Sequence, residues 1–198
     1  MVRAVQKRTL QTRARLVEVA QALVARDGYA ALRVEDVVAG AGVAKGTFFA
    51  HFRDKEALME RLISAELAAR LARAGAGPVP DGVDAMIAAL EPYHGFLASE
   101  RYVFDIALRY SGAAQVAEVG PMAQTFEDCV TLVAGWIARS GGFRRDVPPD
   151  LLAEGVQAFA IQSLSLQFCA LHQAEAGPAR MRRYLVAWLL PPGPALPG

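Results

Sequence analysis

Residues 41–58 read AGVAKGTFFAHFRDKEAL. Two short helical stretches meet here across a glycine. Val34 to Ala39 is predicted as one short helix, Gly40-Ala41-Gly42 as a turn, and Ala44 to Phe52 as the next helix. Gly42 supplies the positive φ that a tight turn demands. Val43 follows it as an apolar plug between the helices. Val34, Val37 and Val38 are assigned inward, and Phe48 and Phe52, spaced i, i+4, point to the same core. The opposite face of the second short helix then carries Lys45, Thr47, Phe49 and His51. Gly46 removes a side chain where a backbone has to come close to another surface. A short helix with a small, polar and basic outer face fits a DNA major groove. The same pattern also describes a plain three-helix subdomain with a solvated face, and both readings stand at this level.

Working outward, Thr12 to Asp27 is a predicted helix with Leu16, Val19, Ala20, Leu23 and Val24 on one stripe, ended by Gly28. The first fifteen residues hold Arg3, Lys7, Arg8, Arg13 and Arg15 and no acid, so they form a basic arm suited to a polyanion or to a solvated tail. Net charge is +1 over 198 residues. It is unevenly placed: residues 1–60 hold ten basic and seven acidic side chains, and the remainder eleven and thirteen. Downstream, Asp54 is positioned as the N-cap of a helix from Lys55 to about Arg73. GAGPVPDG at 75–82 is a loop, and Pro92 predicts a kink or break between Val83 and Ala98. Further helices are expected over Glu100 to Tyr110, Pro121 to Arg139, Asp150 to about Gln173, and Pro178 to Leu190. With four prolines in eight residues, 191–198 is expected to be a disordered tail.

These elements make an all-α chain with no sustained strand pattern. The expected organisation is a helix-turn-helix domain over 1–54 and a larger helical domain over 55–198. Cys129 and Cys169 form no CxxC pair and no His cluster accompanies them, so neither a metal nor a cofactor is expected, and both are read as small buried hydrophobes. The most apolar run, Gly155 to Leu171, is interrupted by glutamines and serines and is short for a membrane span. The N-terminus lacks the apolar stretch of a signal peptide. A cytoplasmic protein without membrane contact is expected.

The segment GYAALRVEDVVAGAGVAKGTFFAHFRDKEAL, Gly28 to Leu58, resembles the N-terminal domain of the TetR family of transcriptional regulators. The resemblance implies that Lys45, Gly46 and Thr47 meet base edges, that His51 lies near the DNA backbone, and that Lys55 contacts phosphate. Three positions depart from the family pattern. Phe49 stands at the usual tyrosine and loses a hydroxyl. Arg33 stands where a capping Thr or Ser begins the second helix, and can pair with phosphate instead. Ala44 stands at the usual Ser, leaving the recognition helix without a side-chain cap.

By the same resemblance, the larger domain binds a small-molecule effector and forms a homodimer through 150–173 and 178–190. Leu164, Leu166, Phe168, Leu171, Leu185, Trp188 and Leu189 would supply the apolar dimer surface. Ligand-orienting candidates are Tyr93, His94, Tyr110, Phe126 and Gln162, around a mainly apolar ligand, with basic residues and tyrosines leaving room for a carboxylate or phenol. The implied function is a non-enzymatic regulator of double-stranded DNA, a repressor released from a pseudo-palindromic operator by its ligand. Two alternatives remain at this stage. One is an all-helical enzyme using His94, Glu100 and Asp105, which no nucleophile–base spacing supports. The other is a helical binding protein that has lost its operator.

Overall fold

The computed structural model describes residues 2–111, 119–169 and 177–191, with side chains from residue 7. The described residues form nine α-helices and no strand: α1 (Val2–Asp27), α2 (Val34–Ala41), α3 (Lys45–His51), α4 (Lys55–Gly75), α5 (Val83–Leu97), α6 (Arg101–Ser111), α7 (Pro121–Arg139), α8 (Pro149–Gln167) and α9 (Gly177–Leu189). The N-terminal helices pack α1 on α2 and α2 on α3. Helix α4 reaches back to α1 and forward to α5, α6 and α7, while α8 packs between α7 and α9.

Local chemistry explains the ends of the short helices. Gly42 sits at φ 63°, ψ 40°, and ends α2. Its N–H donates to the Ala39 carbonyl and the Val43 N–H to Val38, both at 3.1 Å, so the orphan carbonyls of α2 are satisfied. Helix α2 therefore runs to Ala41, two residues past its expected end, because the terminating bonds fold back onto its last turn. Asp54 caps α4 as expected, accepting from the Ala57 N–H at 2.7 Å. Phe48 and Phe52 are buried, with ring centroids 5.5 Å apart.

Four expectations need correction. The basic arm is the first turns of α1, which begins at Val2 rather than Thr12, since nothing from there to Asp27 breaks a helix. Pro92 does not break α5. It lies on the exposed side, while Val83, Met86, Leu90, Tyr93, Phe96 and Leu97 hold the helix against its neighbours on both sides of it. Its carbonyl accepts from Arg70 Nη1 at 3.1 Å. Helix α8 stops at Gln167 rather than near Gln173. There the chain turns so that the Phe168 ring lies 5.5 Å from Phe104. Cys169 is thus half-buried beyond the helix, whereas Cys129 is buried in α7 and burial pushes its thiol up to about 12. The expected tail lies outside the described residues beyond Pro191.

The apolar residues assigned to a dimer surface divide. Leu164, Leu185 and Leu189 are buried within this chain's own core, Leu166, Phe168 and Trp188 are half-buried, and Leu171 lies outside the described residues. Trp188 lies across α8, its Nε1 donating to the Leu152 carbonyl at 2.9 Å. Gly155 makes that approach possible, because a Cβ there would fall 2.2 Å from the indole nitrogen.

The turn at Gly42 carries a stability prediction. Gly42→Ala is expected to cost about 1–2 kcal/mol, the penalty of a left-handed conformation for an L side chain. Urea denaturation of the variant checks it. An unchanged midpoint would mean that the turn rearranges at no cost.

Candidate nucleic-acid interface and internal cavity

The two phenylalanines that anchor α3 decide which way its other side faces. Lys45 and Gly46 are exposed, Phe49 is 48% exposed, and Thr47 and His51 are half-buried. A Cβ built on Gly46 meets nothing within 4 Å. The face is therefore open to a large partner and small at its centre. Ala44 and Arg33 are the exposed N-cap residues of α3 and α2, and neither forms a side-chain cap bond. Arg33 projects beside this face without the local bond a Ser or Thr would make.

Two of the assigned cations have partners inside the protein. Lys45 Nζ pairs with Glu35 Oε1 across the α2–α3 corner at 2.6 Å, and this hydrogen bond holds the Glu35 carboxyl below its ordinary range. Both side chains are exposed, so the pair orients Lys45 more than it stabilises the fold. Lys55 is half-buried, its Nζ 5.1 Å from the Tyr102 ring centroid on α6, so it faces the larger helical body. Sequence reading missed Glu35, whose role depends on how α2 crosses α3. It also missed Arg13 and Arg15 as neighbours of the turn. The Arg13 guanidinium lies 5.2 Å from the Phe52 ring centroid, and Arg15 Nη2 lies 3.5 Å from where a Cβ on Gly42 would stand. Their place on the α1 stripe, three and one residues before Leu16, was the available signal.

The five ligand candidates do not converge. A cavity of about 260 Å³ opens between α5, α8 and α9, walled by Ile87, Ala98, Leu164 and Met181 among others, with His94 and Ser163 as polar members. His94 is the candidate that lines it. Tyr93, its neighbour on α5, is buried, and burial beside Cys129 on α7 pushes its phenol up. Phe126 is core on α7. Gln162 is exposed on α8. Tyr110 lies at the far end of α6, where burial and the nearby Asp54 carboxylate push its phenol up. The sequence could not separate these, since every one sits on an apolar helical stripe.

Between cavity and α3 lies a second junction. Glu100, just before α6, accepts from the backbone N–H of Tyr29 at 3.1 Å and of Ala30 at 3.2 Å, in the loop joining α1 to α2. The Tyr29 ring meets Phe96 edge-on at 5.7 Å. Phe96 lies on the stretch of α5 that also carries His94, Gly95 and Ala98 into the cavity wall.

Residues 16–62 match the family model described as bacterial regulatory proteins, tetR family. That span holds the last 12 residues of α1, the whole of α2 and α3, and the capped beginning of α4. Over these residues the chain is similar to the tetR family. No curated protein matches the sequence. Several solved structures share the fold over nearly the whole chain. A TetR-family regulator from Pectobacterium atrosepticum has TM-score 0.61 and 22% identity, covering 94% of this chain and 98% of its own. Thermus thermophilus FadR, a TetR-family transcriptional repressor in complex with lauroyl-CoA, has TM-score 0.59 and 20% identity, covering 94% and 99%. SmeT in complex with triclosan has TM-score 0.57 and 19% identity, covering 95% and 96%. Among the described residues, no helix is long and apolar enough to cross a membrane, and no cluster of His, Cys, Asp and Glu is arranged to hold a metal ion.

In a helix-turn-helix with this open α3 face, fold and binding separate at Gly46. Gly46→Ala is expected to stabilise the protein by about 0.5–1 kcal/mol, because glycine is a poor helix former and the site is empty. The same methyl is expected to lower DNA affinity at least about tenfold by keeping the backbone from the groove. Thermal melts and fluorescence anisotropy on one sample read both. A more stable variant with unchanged DNA affinity places the interface elsewhere.

His94 sets a pH prediction. Burial pushes its imidazole from 6.5 down to about 4. Below about 6.5 the unfolded chain takes up a proton that the folded chain refuses until about 4, so this contribution to stability is full above 6.5 and declines as pH falls through that window. The Tm of the wild type is expected to drop more steeply from pH 6.5 to 4 than that of His94→Gln, read by differential scanning fluorimetry. Parallel profiles would show that the imidazole is solvated.

Proposed function

We propose that the chain is a homodimeric transcriptional regulator, a repressor, which binds a pseudo-palindromic operator through α2 and α3 and is released by a small, mainly apolar ligand. In this reading residues 1–54 bind DNA, residues 55–198 bind the ligand and the second copy, and the protein works in the cytoplasm without catalytic activity. One observation carries the reading: α3 is pinned by Phe48 and Phe52 while Lys45, Gly46 and Phe49 stay uncovered on its other side. A helix held by one face and bare on the other is what major-groove reading requires.

Residue roles follow from position. Lys45 reads base edges after exchanging Glu35 for DNA. Gly46 and Thr47 set the closest approach, and Phe49 offers its exposed ring to a thymine methyl. Arg33 pairs with phosphate, the Ala44 backbone lies at the entry of α3, and His51 lies near the DNA backbone. Lys55 reaches phosphate only by leaving Tyr102. The outward faces of α8 and α9 are the surface for the second copy, with Leu151 48% exposed on α8 and small Ala158 and Ala187 exposed along the two helices. A two-fold axis there presents two copies of α3 to successive turns of one DNA face, hence the pseudo-palindrome.

Release is a difference in ligand affinity between the DNA-competent arrangement and another. Complexes of similar folds with lauroyl-CoA and with triclosan support ligand control as the use of the larger domain. The cavity is the site, with His94 as its polar contact. The end of α5 and Glu100 transmit its occupancy to the α1–α2 loop. Tyr93 and Phe126 support the wall from behind, and Tyr110 and Gln162 serve only if the site extends beyond the cavity described.

Selection of bound genomic fragments, followed by anisotropy titration at several salt concentrations, tests the reading. Two protomers are expected per selected site. Lys45→Ala is expected to lower affinity for that site by about 1–3 kcal/mol while leaving random DNA almost unaffected. Arg33→Ala is expected to weaken both alike and to reduce the salt slope by about 0.9. Equal losses on selected and random DNA for Lys45→Ala would sink the assignment.

A further inference from the structure

The cavity between α5, α8 and α9 has a chemical character of its own. Its apolar wall includes Ile87, Ala98, Ala160, Leu164, Pro178 and Met181. Its polar members are Glu91, His94, Ser163 and Gln167, and no lysine or arginine lines it among the described residues. Residues 168–176, which join α8 to α9 in the sequence, contain neither cation. Arg180 is buried one residue before Met181 but is not part of the wall and already has a partner. Glu91 and Gly95 both line the cavity, and the glycine leaves room for the carboxylate to lie across it: a Cβ there would fall 2.9 Å from Glu91 Oε1.

We propose that this cavity takes an uncharged one- or two-ring molecule bearing a group that both donates and accepts hydrogen bonds, and that it rejects anions. The proposal deepens the regulator reading above, on which its consequence for DNA rests.

Size comes first. A dry cavity of roughly 150 Å³ admits benzene. The 260 Å³ available here accommodates a substituted ring or a fused pair. An acyl-CoA is far larger and carries several phosphate charges, so this chain departs in ligand class from the FadR whose fold it shares. Charge comes second. An anion entering an apolar site loses its hydration and meets no cation in the lining to replace it. The Glu91 carboxylate adds like-charge repulsion. Hydrogen bonding comes third. His94, held neutral by burial, offers one N–H and one lone pair. The Ser163 hydroxyl, buried where α8 lines the cavity, has no hydrogen-bond partner among the described residues. A phenol or primary amide satisfies such groups from both sides, which a carboxylate, an acceptor only, does not.

Two probes of nearly one shape separate charge from size: 2-naphthamide and 2-naphthoate, titrated calorimetrically into the full chain without DNA at neutral pH. The amide is expected to bind saturably and at least about tenfold more tightly than the carboxylate. Glu91→Gln is expected to narrow that gap by roughly two- to threefold through the naphthoate arm, since the residue is exposed and its charge screened. Met181→Trp, which fills the cavity, is expected to abolish amide binding. Ala98→Leu on the opposite wall serves the same end should the tryptophan unfold the protein. Naphthoate binding as tightly as the amide, no saturable amide binding, or amide binding untouched by the filling variants would each overturn the proposal. Anisotropy with operator DNA separates the two levels. Amide that binds selectively yet leaves DNA affinity unchanged upholds the ligand class and overturns the regulator reading. A naphthoate preference does the reverse when DNA is still released.

Discussion

Helix α4 has to belong to two cores at once, and the rest of the molecule depends on it. Leu58, Met59, Leu62, Ile63, Leu67 and Leu71 are all buried along it, each contributing about 1.5–3 kcal/mol relative to exposure. It packs back on α1 and also on α5, α6 and α7. Such a helix cannot shift along its axis without disturbing both groups of contacts, because close-packed interiors deform in steps rather than smoothly. Its first turns are fixed accordingly. Asp54 caps the first turn, and Glu60, whose carboxyl burial raises while the Met122 amide draws it down, ties the helix to the start of α7.

A second junction runs parallel to α4. Glu100 gathers two consecutive backbone amides of the α1–α2 loop, and the Tyr29 ring closes on Phe96 beside it. Consecutive amides in a turn make a small anion-binding concavity, and here a side chain from the larger helical body occupies it. This junction is only a few residues from the cavity wall at Ala98. The α4 route instead passes through several buried layers. Two routes of unequal stiffness therefore connect the cavity to α3: a long one through packed side chains and a short one through charge-assisted hydrogen bonds.

Much of this was legible before any coordinates. The stretch 41–58 encodes the helix-turn-helix through features that act locally: a glycine required by a positive φ, an apolar pair at i, i+4, and an aspartate at a cap. Local features survive any tertiary arrangement, which is why Gly42, Phe48, Phe52 and Asp54 stand as read. The failures share another origin. Pro92 disfavours a helix in isolation, yet burial on both sides of it outweighs one lost backbone bond. The early end of α8 reflects Phe168 turning toward Phe104, a partner more than sixty residues away in sequence. Ligand candidates on apolar stripes are indistinguishable until the stripes are placed: His94 lines the cavity, while Tyr93, its ring only 5.5 Å away, is buried toward Cys129 and does not. Glu35 and Glu100 carried no motif at all, because their value lies entirely in what folding brings beside them.

The energies show why the short junction suits a switch. Allosteric coupling between a ligand and DNA amounts to about 1–3 kcal/mol. A hydrogen bond to a charged group is worth about 1.5–3 kcal/mol, and less where water reaches it, as it does at the half-buried Glu100. Losing one of the two bonds at this carboxylate is therefore a change of the size regulation needs, with no helix of the core displaced. Disturbing α4 would involve several buried side chains at once and endanger the fold itself. A ligand that moves the end of α5 by a fraction of an ångström acts on bonds weak enough to exchange and directional enough to register the movement. In the proposed regulator, the rigid helix keeps the two halves together while the Glu100 carboxylate sets how the α1–α2 loop is held.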